Sequence, residues 1–403
     1  MTRVEEPLQY PIPTEKALEP PVEWTELRHR CPVAHVTLPS GDAASLVTRY
    51  DDVKQVLSDP RFTRTGQGRG ARVSAVEGGG VFNSEMASVL PQHGEEHLRW
   101  RRMIGKWFTA KRMNALRPGI EAMAEQLIDD MVARGGPADL KASLGFPLPV
   151  WVICDMLGVP DADRDRFAHW SDMLLSMTRY SQEEMRAGQM EFGAYMAAHI
   201  AAKRAEPGED ILSALIAETD ADGNPLSDIV LISTGIGLLV AGHETTANMI
   251  AKMVAMLLTD RSRWESLLAD RSLVRSAVEE ALRMDANSGF GMVRYFDEDV
   301  ELAGTVLPAG TTAVCSMAAA NRDERAFANA AEMDLTRSPN PHLAFGAGAH
   351  ACIGQPLART ELQAVLDVLL RKLPTLALAV GEDDLRRVEG LVVGGLRELP
   401  VRW

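Results

Sequence analysis

No two of the four cysteines in this chain lie close together: Cys31, Cys154, Cys315 and Cys352 are isolated from one another. That spacing excludes a CxxC zinc pattern and a dense disulfide framework, so a reducing cytoplasm is the expected compartment. A surplus of basic charge is also missing. Lys and Arg number 42 against 56 Asp and Glu, a net charge of −14, and neither nucleic acid nor an anionic membrane surface is expected as a partner of the molecule as a whole. The first stretch, MTRVEEPLQYPIPTEKALEPP, is acidic and broken by prolines. It lacks the basic-then-apolar order of a signal peptide, so secretion is not expected. Uncharged windows of about membrane-spanning length occur at 302–321 and 338–358, but Gly, Pro, Asn and Thr interrupt both. Such residues break a lipid-facing helix, and no membrane span is expected there.

Internal repeats, low-complexity tails and domain-sized linkers are absent as well. The 403 residues are enough for two or three average domains, yet nothing divides them, so residues 1–403 are expected to form one large domain. Short alternating runs, HVTLPSG and ASLVTRY, predict a small sheet within 25–60, followed by a helix over DDVKQVLSD capped by Asp51 or Asp52. Residues 61–95 are rich in Gly, Ser and Arg and weakly periodic, which predicts a binding loop. Helical spacing dominates 95–285. Strands and hairpins are predicted over 292–317, where VRYFDEDVELAGTVLPAGTTAVCSM alternates across Gly and Pro turns, and a smaller β part over 375–403. Helix returns over 355–373, with Leu362, Val365, Leu366, Leu369 and Leu373 on one apolar stripe. The fold class expected is mainly α with a minor β part.

The stretch FGAGAHACIGQPLAR, Phe345 to Arg359, is unusually poor in side chains. Glycine costs folding entropy unless its missing side chain is needed, so something large is expected to approach this backbone. Cys352 precedes a helix whose first turn holds Pro356. The helix dipole and nearby N–H groups are expected to favour a thiolate there and to lower its pKa. A thiolate suits a soft metal or a haem iron, and Gly346, Gly348 and Gly354 would let a flat macrocycle lie against the loop. The plainer alternative is a buried free cysteine in a turn. A nucleotide loop fits poorly, because these glycines match neither GxGxxG nor GxxxxGK[ST].

Phe345-Gly346-x-Gly348-x-His350-x-Cys352-x-Gly354, continued by Leu357-Ala358-Arg359, resembles the haem-binding signature of the cytochrome P-450 superfamily of haem-thiolate monooxygenases. Three further stations follow that family's order. The segment LLVAGHETTANM places a glycine inside an apolar helix, at a propensity cost of about 1 kcal/mol. Ala241-Gly242-His243-Glu244-Thr245 resembles the family's distal helix. The resemblance implies that Ala241 and Gly242 border the cofactor, that Gly242 opens space beside iron-bound oxygen, and that Glu244 and Thr245 are catalytic, delivering protons. In SAVEEALRM, Glu280 and Arg283 share a helix face; read alone they are an exposed ion pair worth a few tenths of a kcal/mol. The family has a structural Glu–Arg pair here. Its third partner stays open, because Glu332 and Met333 stand where many relatives carry an Arg-Phe pair.

The segment HGEEHLRWRRMIGKWFTAKR concentrates basic residues in an acidic chain. Read alone it is a solvated helix face. By resemblance His97, Arg101, Arg294 and His350 bind the propionates of a haem b, Phe345, Gly346 and Gly354 lie against it, and Cys352 ligates its iron. Arg99, Arg102, Lys106 and Arg112 are then the docking face for a ferredoxin, itself reduced by a ferredoxin reductase. The expected substrates are O2 and a medium-to-large, mostly apolar organic molecule, because the segments that select it in the family read here as GVFNSEMASVLPQ, WSDMLLSMTRY, LLVAG, DANSGFGMV and EGLVVGG. The chain is most similar in character to actinomycete-type members, many of which tailor natural products. Oxidative coupling or ring closure on the same scaffold is an alternative to oxygen insertion. A non-catalytic haem sensor is another, disfavoured because a sensor needs no proton relay of the Glu244–Thr245 kind.

Overall fold

The computed structural model describes residues 8–64, 70–73, 89–176, 178–285 and 289–403. Most of the expected binding loop, and part of the substrate-facing segments GVFNSEMASVLPQ and DANSGFGMV, lie outside the described residues. The architecture is mainly α with a minor β part, as expected.

The strands are, in chain order, β1 (Leu8–Gln9), β2 (Val33–Thr37), β3 (Ala43–Val47), β4 (Ala138–Asp139), β5 (Met292–Tyr295), β6 (Val300–Leu302), β7 (Thr305–Leu307), β8 (Thr312–Cys315), β9 (Ala377–Leu378) and β10 (Pro400–Arg402). A five-stranded sheet runs β1-β2-β3-β8-β5, a three-stranded one β4-β10-β9, and β6 pairs with β7. In β2 the alternation is visible as burial, with Ala34 and Val36 inward and His35 outward. β8 is buried along its whole length because β3 and β5 flank it on either side. That pairing puts Arg294 of β5 opposite Ala313 of β8.

At the centre of the helical part is the 31-residue helix Asp228–Leu258. It packs against the helices Pro147–Leu157, Gln182–Ala205 and Gln355–Lys372. It is long and apolar enough to cross a membrane by composition alone, but Leu239, Ile250, Met253 and Val254 are buried in a core shared with Ile153, Leu362 and Leu366. The same core cluster draws on residues from Ala17 to Val401. Leu362, Val365, Leu366, Leu369 and Leu373 are all buried, so the stripe read from their spacing is the inner face of the Gln355–Lys372 helix.

One predicted cap is displaced. The helix expected to start on Asp51 or Asp52 begins at Tyr50, and Arg49 at its N-cap makes no side-chain bond. The Tyr50 N–H instead donates to Asp323 Oδ2 at 3.0 Å. A carboxylate from 273 residues away in sequence thus does the capping.

The helix Val274–Met284 shows what Glu280 and Arg283 are for. Both are fully buried, which removes the exposed-pair reading. Arg283 Nε and a terminal nitrogen donate to the two Glu280 oxygens at 2.8 Å each. The remaining donors reach the carbonyls of Asn321, Ala330 and Glu332. Arg337 Nε completes the network, 3.1 and 3.0 Å from the same two carboxylate oxygens. The third partner is therefore Arg337, a few residues beyond Glu332 and Met333, while Glu332 contributes its backbone. Burial raises the Glu280 carboxyl, but Arg283, the Asp334 N–H and Arg337 outweigh it and hold the group below its ordinary range. Replacing Glu280 by Ala leaves two guanidiniums buried without a carboxylate. The expected loss is about 3–5 kcal/mol, read from urea denaturation.

Glu361, on the Gln355–Lys372 helix, is the opposite case. It is buried beside Thr246 with neither oxygen in a geometrically complete hydrogen bond, and burial pushes its carboxyl up to about 8. In an unfolded chain the group ionises near 4.3. Between those values the folded state keeps a proton that the unfolded state releases, so stability falls as pH rises through that window. Glu361→Gln removes this slope, which is at most about 1.4 kcal/mol per pH unit. Denaturation curves should therefore show the variant gaining on the parent from pH 5 to pH 8, and a constant difference would refute the assignment.

Candidate active site

The Cys352 loop is built by short backbone bonds: Cys352 N–H to Phe345 O at 2.7 Å and Gly346 N–H to Leu343 O at 2.8 Å. Gly346 and Gly348 have φ of 70° and 71°, a region that disfavours side chains. A Cβ on Gly348 would also lie 2.6 Å from Ser58 Cα and 2.7 Å from Leu57 O. The missing side chain of Gly348 thus admits the end of the Tyr50–Ser58 helix. A Cβ on Gly354 would make only ordinary contact with Cys352 Sγ, at 3.9 Å. The Arg359 guanidinium lies 4.5 Å over the Phe345 ring and binds Glu279, pinning the loop to the Val274–Met284 helix.

Cys352 is exposed, yet burial by surrounding protein raises its thiol pKa. The N–H groups of Gly354 and Gln355, and the charges of Arg101 and Arg359, pull the other way without prevailing. The expected lowering is therefore not seen: the helix start helps, but desolvation wins. A sulfur that is accessible but poorly solvated sits in a recess, and a metal held by Cys352 there would itself displace the thiol proton.

Basic groups gather at one edge. His97 is buried, Nδ1 2.9 Å from Pro91 O and Nε2 3.4 Å from Ala349 O. Its ring centroid is 4.3 Å from that of His350. Arg101 donates to Ala351 O at 2.6 Å. Arg294 donates to Val293 O at 2.9 Å and leaves Nε buried without a partner, as is Nδ1 of His350. Burial, then Arg64, His97, Arg294 and Arg101 in that order, push His350 down to about 3. No carboxylate acts on Arg101, Arg294 or His350 among the described residues. The four positions matched by resemblance do converge, and Arg64 joins them unannounced. Three guanidiniums and two imidazoles, with buried polar nitrogens on Arg294 and His350 left without a partner, fit an anionic group, such as the carboxylates at the edge of a haem.

On the long helix, Gly237, Ala241 and Thr245 form a line exposed at every fourth residue in an otherwise buried section. Thr245 Oγ1 donates to Ala241 O at 3.0 Å. Asn248 Nδ2 donates to Glu244 Oε1 at 2.8 Å and to its carbonyl at 2.9 Å, holding the carboxylate. Asn248 was readable as the residue four after Glu244, though nothing local marks its role. His243 is buried and turned to Leu239 O, with Nε2 3.9 Å from Glu244 Oε2. Gly242 departs from expectation. A Cβ there would stand 2.7 Å from Ile153 Cγ1, so its missing side chain admits the Pro147–Leu157 helix rather than clearing space beside oxygen.

The basic helix is less free than its sequence implies. Arg99 donates to Asp220 O at 2.6 Å, Arg102 pairs with Glu95 and Lys106 with Glu218, each at 2.7 Å. Arg112 lies 3.9 Å over the Trp107 ring.

A recessed cysteine at the head of a helix, a cation cradle beside it and an acid–alcohol pair on a buried helix define the class of haem-thiolate oxygenases. A model of the cytochrome P-450 family matches residues 254–384. The mycinamicin IV hydroxylase/epoxidase of Micromonospora griseorubida is 42% identical over 403 residues, covering 99% of each chain. The nocardicin C N-oxygenase of Nocardia uniformis subsp. tsuyamanensis is 42% identical over 398 residues, covering 98% of each. Among solved structures, SgvP, a putative thioether synthase involved in the tailoring step of griseoviridin, superposes with a TM-score of 0.92 at 40% identity, over 99% of this chain and 100% of its own. The chain belongs to the cytochrome P-450 family. It is a monooxygenase with a haem-thiolate cofactor, dependent on an electron-donating redox partner and acting on an organic molecule.

The Gly242–Ile153 contact gives a test by double mutation. Gly242→Ala is expected to destabilise the parent chain through overpacking. In an Ile153→Ala background, where Cγ1 and Cδ1 are gone and only the Cβ at 3.2 Å remains, the same change should cost less, with the helix preference of alanine, about 1 kcal/mol, working in its favour. Thermal or urea denaturation of the four proteins checks it.

Proposed function

We propose that this chain is a cytoplasmic haem b monooxygenase that hydroxylates or otherwise oxidises a medium-to-large, mostly apolar natural product, with electrons from a ferredoxin. The observation that carries the reading is the Cys352 recess bordered by arginines that no carboxylate among the described residues neutralises. Cys352 would ligate the iron, and His97, Arg101, Arg294 and His350 would hold the haem carboxylates. Phe345, Gly346 and Gly354 would lie on the cysteine side, Ala241 and Gly242 on the other. Haem with a thiolate ligand supplies the activation of dioxygen.

The chain's own part is positioning and proton supply. Asn248 fixes the Glu244 carboxylate, and Thr245 stands on the exposed line one residue further on. Glu244 is the group that takes a proton from the protein side and Thr245 the hydroxyl that passes it onward, a general-acid role. The donor protein would meet Arg99, Arg102, Lys106 and Arg112; an acidic surface would have to compete with Glu95 and Glu218 for two of them. The natural-product assignment is supported by the substrates named for the two relatives. A second reading, oxidative bond formation without oxygen insertion, is favoured by the likeness to SgvP.

After reduction and exposure to carbon monoxide, the purified holoprotein should absorb at the thiolate-haem position, and Cys352→Ser should lose that band. A histidine-type spectrum in the parent would refute the reading. Compounds that shift the Soret band, taken into turnover with a ferredoxin system, then separate the two reactions by product mass. Oxygen insertion adds one oxygen atom, whereas coupling removes two hydrogens.

A further inference from the structure

Arg64 reaches the cation cradle through a pairing between distant parts of the chain. Thr63 and Tyr295 form an antiparallel bridge, with Thr63 N–H donating to Tyr295 O at 2.7 Å and Tyr295 N–H to Thr63 O at 2.9 Å. That register sets Phe62 opposite Phe296 and Arg64 opposite Arg294. The phenylalanine rings do meet, with centroids 5.0 Å apart.

Like charges facing one another across a strand pair are destabilising. Neither arginine meets a carboxylate among the described residues. Arg294 is buried, its Nε has no partner there, and a terminal nitrogen donates to the Val293 carbonyl at 2.9 Å. No carboxylate among the described residues is seen to act on Arg64, Arg101 or Arg294; after burial, Arg294 and Arg101 act on Arg64 as like charges, and Arg64, Arg294 and Arg101 each help burial keep His350 unprotonated. Opposed guanidiniums held on paired backbone are a fork suited to a carboxylate, which each can bind through two parallel N–H bonds.

We infer that Arg64 is an anion-binding residue of the cofactor pocket, gripping a haem carboxylate together with Arg294. The inference rests on the haem reading above and adds to it a residue outside the signature positions. The same chemistry could come from a carboxylate on the substrate, and the two sources differ in what a substrate-free enzyme shows.

The test compares substrate-free holoprotein of the parent, Arg64→Ala and Arg64→Lys. Haem transfer to excess apomyoglobin should be about tenfold faster for Arg64→Ala, the equivalent of one charge-assisted hydrogen bond. Its ferric–ferrous midpoint should also move to more negative potential, because removing a nearby cation disfavours the electron-richer state. Arg64→Lys keeps the charge, so its midpoint should stay with the parent while its haem loss is intermediate. Haem loss and midpoint both unchanged in Arg64→Ala, the outcome of a role toward substrate alone, overturns the inference. A parent chain that takes up no haem overturns the haem reading itself.

Discussion

Desolvated positive charge that no carboxylate among the described residues neutralises is the constraint around which this molecule is arranged. His97 comes from the helix Gly94–Gly105, Arg294 from β5, His350 from the cysteine loop and Arg64 from the bridge to Tyr295. Four elements from separate parts of the sequence meet, and the cost of bringing Arg64 and Arg294 together beside two imidazoles falls on all of them. An anion bound there would stabilise their mutual placement as well as itself, since whatever binds only the folded state deepens it. This basic cluster and the junction between the sheet and the helical part are therefore one energetic unit.

The opposite solution stands behind the cysteine loop. Glu280 is as buried as Arg294, but it receives Arg283, Arg337, Asn340 and the Asp334 N–H. Next to it on the same helix, Glu279 takes Arg359 and His342, which hold its carboxyl down at about 2 against the pull of burial. Glu279 thus fixes the loop through Arg359 while Glu280 fixes the segment from Asn321 to Asn340 that leads into it. Charges that hold the frame are satisfied internally; charges that face the recess are left for a ligand.

Local spacing made much of this legible. Glycines and a cysteine in a fifteen-residue loop, an acid and an alcohol in an apolar helix, and residues three or four apart on helices each state their relation within a few positions. The leucine stripe after Pro356 and the alternation in β2 were readable for the same reason. What escaped depends on distant partners. Arg337 is near Glu280 only because the chain folds back over about fifty residues of sequence, and Asp323 caps a helix that sequence would cap with Asp51 or Asp52. Gly242 reads as clearance for a ligand until Ile153 is seen against it. The pKa of Cys352 needs the depth of the recess, which no helix-dipole argument contains. Arg64 is invisible without the Thr63–Tyr295 register.

The long helix carries the remaining asymmetry. Gly237, Ala241 and Thr245 make a line of small residues at every fourth position; Glu244, Asn248 and Lys252 make a polar line with the same period, turned by about a hundred degrees. Asn248 and Lys252 are almost completely buried, and Lys252 Nζ binds Asp285 Oδ1 at 2.8 Å while Arg387 lies 3.7 Å from the other oxygen. Burial lowers the Lys252 pKa against the pull of Asp285, so the pair is an expensive way to join the helix to the chain after Met284. Leucines replacing both Lys252 and Asp285 would pack the same core without that penalty. The pair does not earn its place as a stabiliser. Its effect is directional: with Asn248 holding Glu244 at one end and Asp285 holding Lys252 at the other, the helix cannot rotate or slide without breaking buried polar contacts, and the small-residue line keeps its facing.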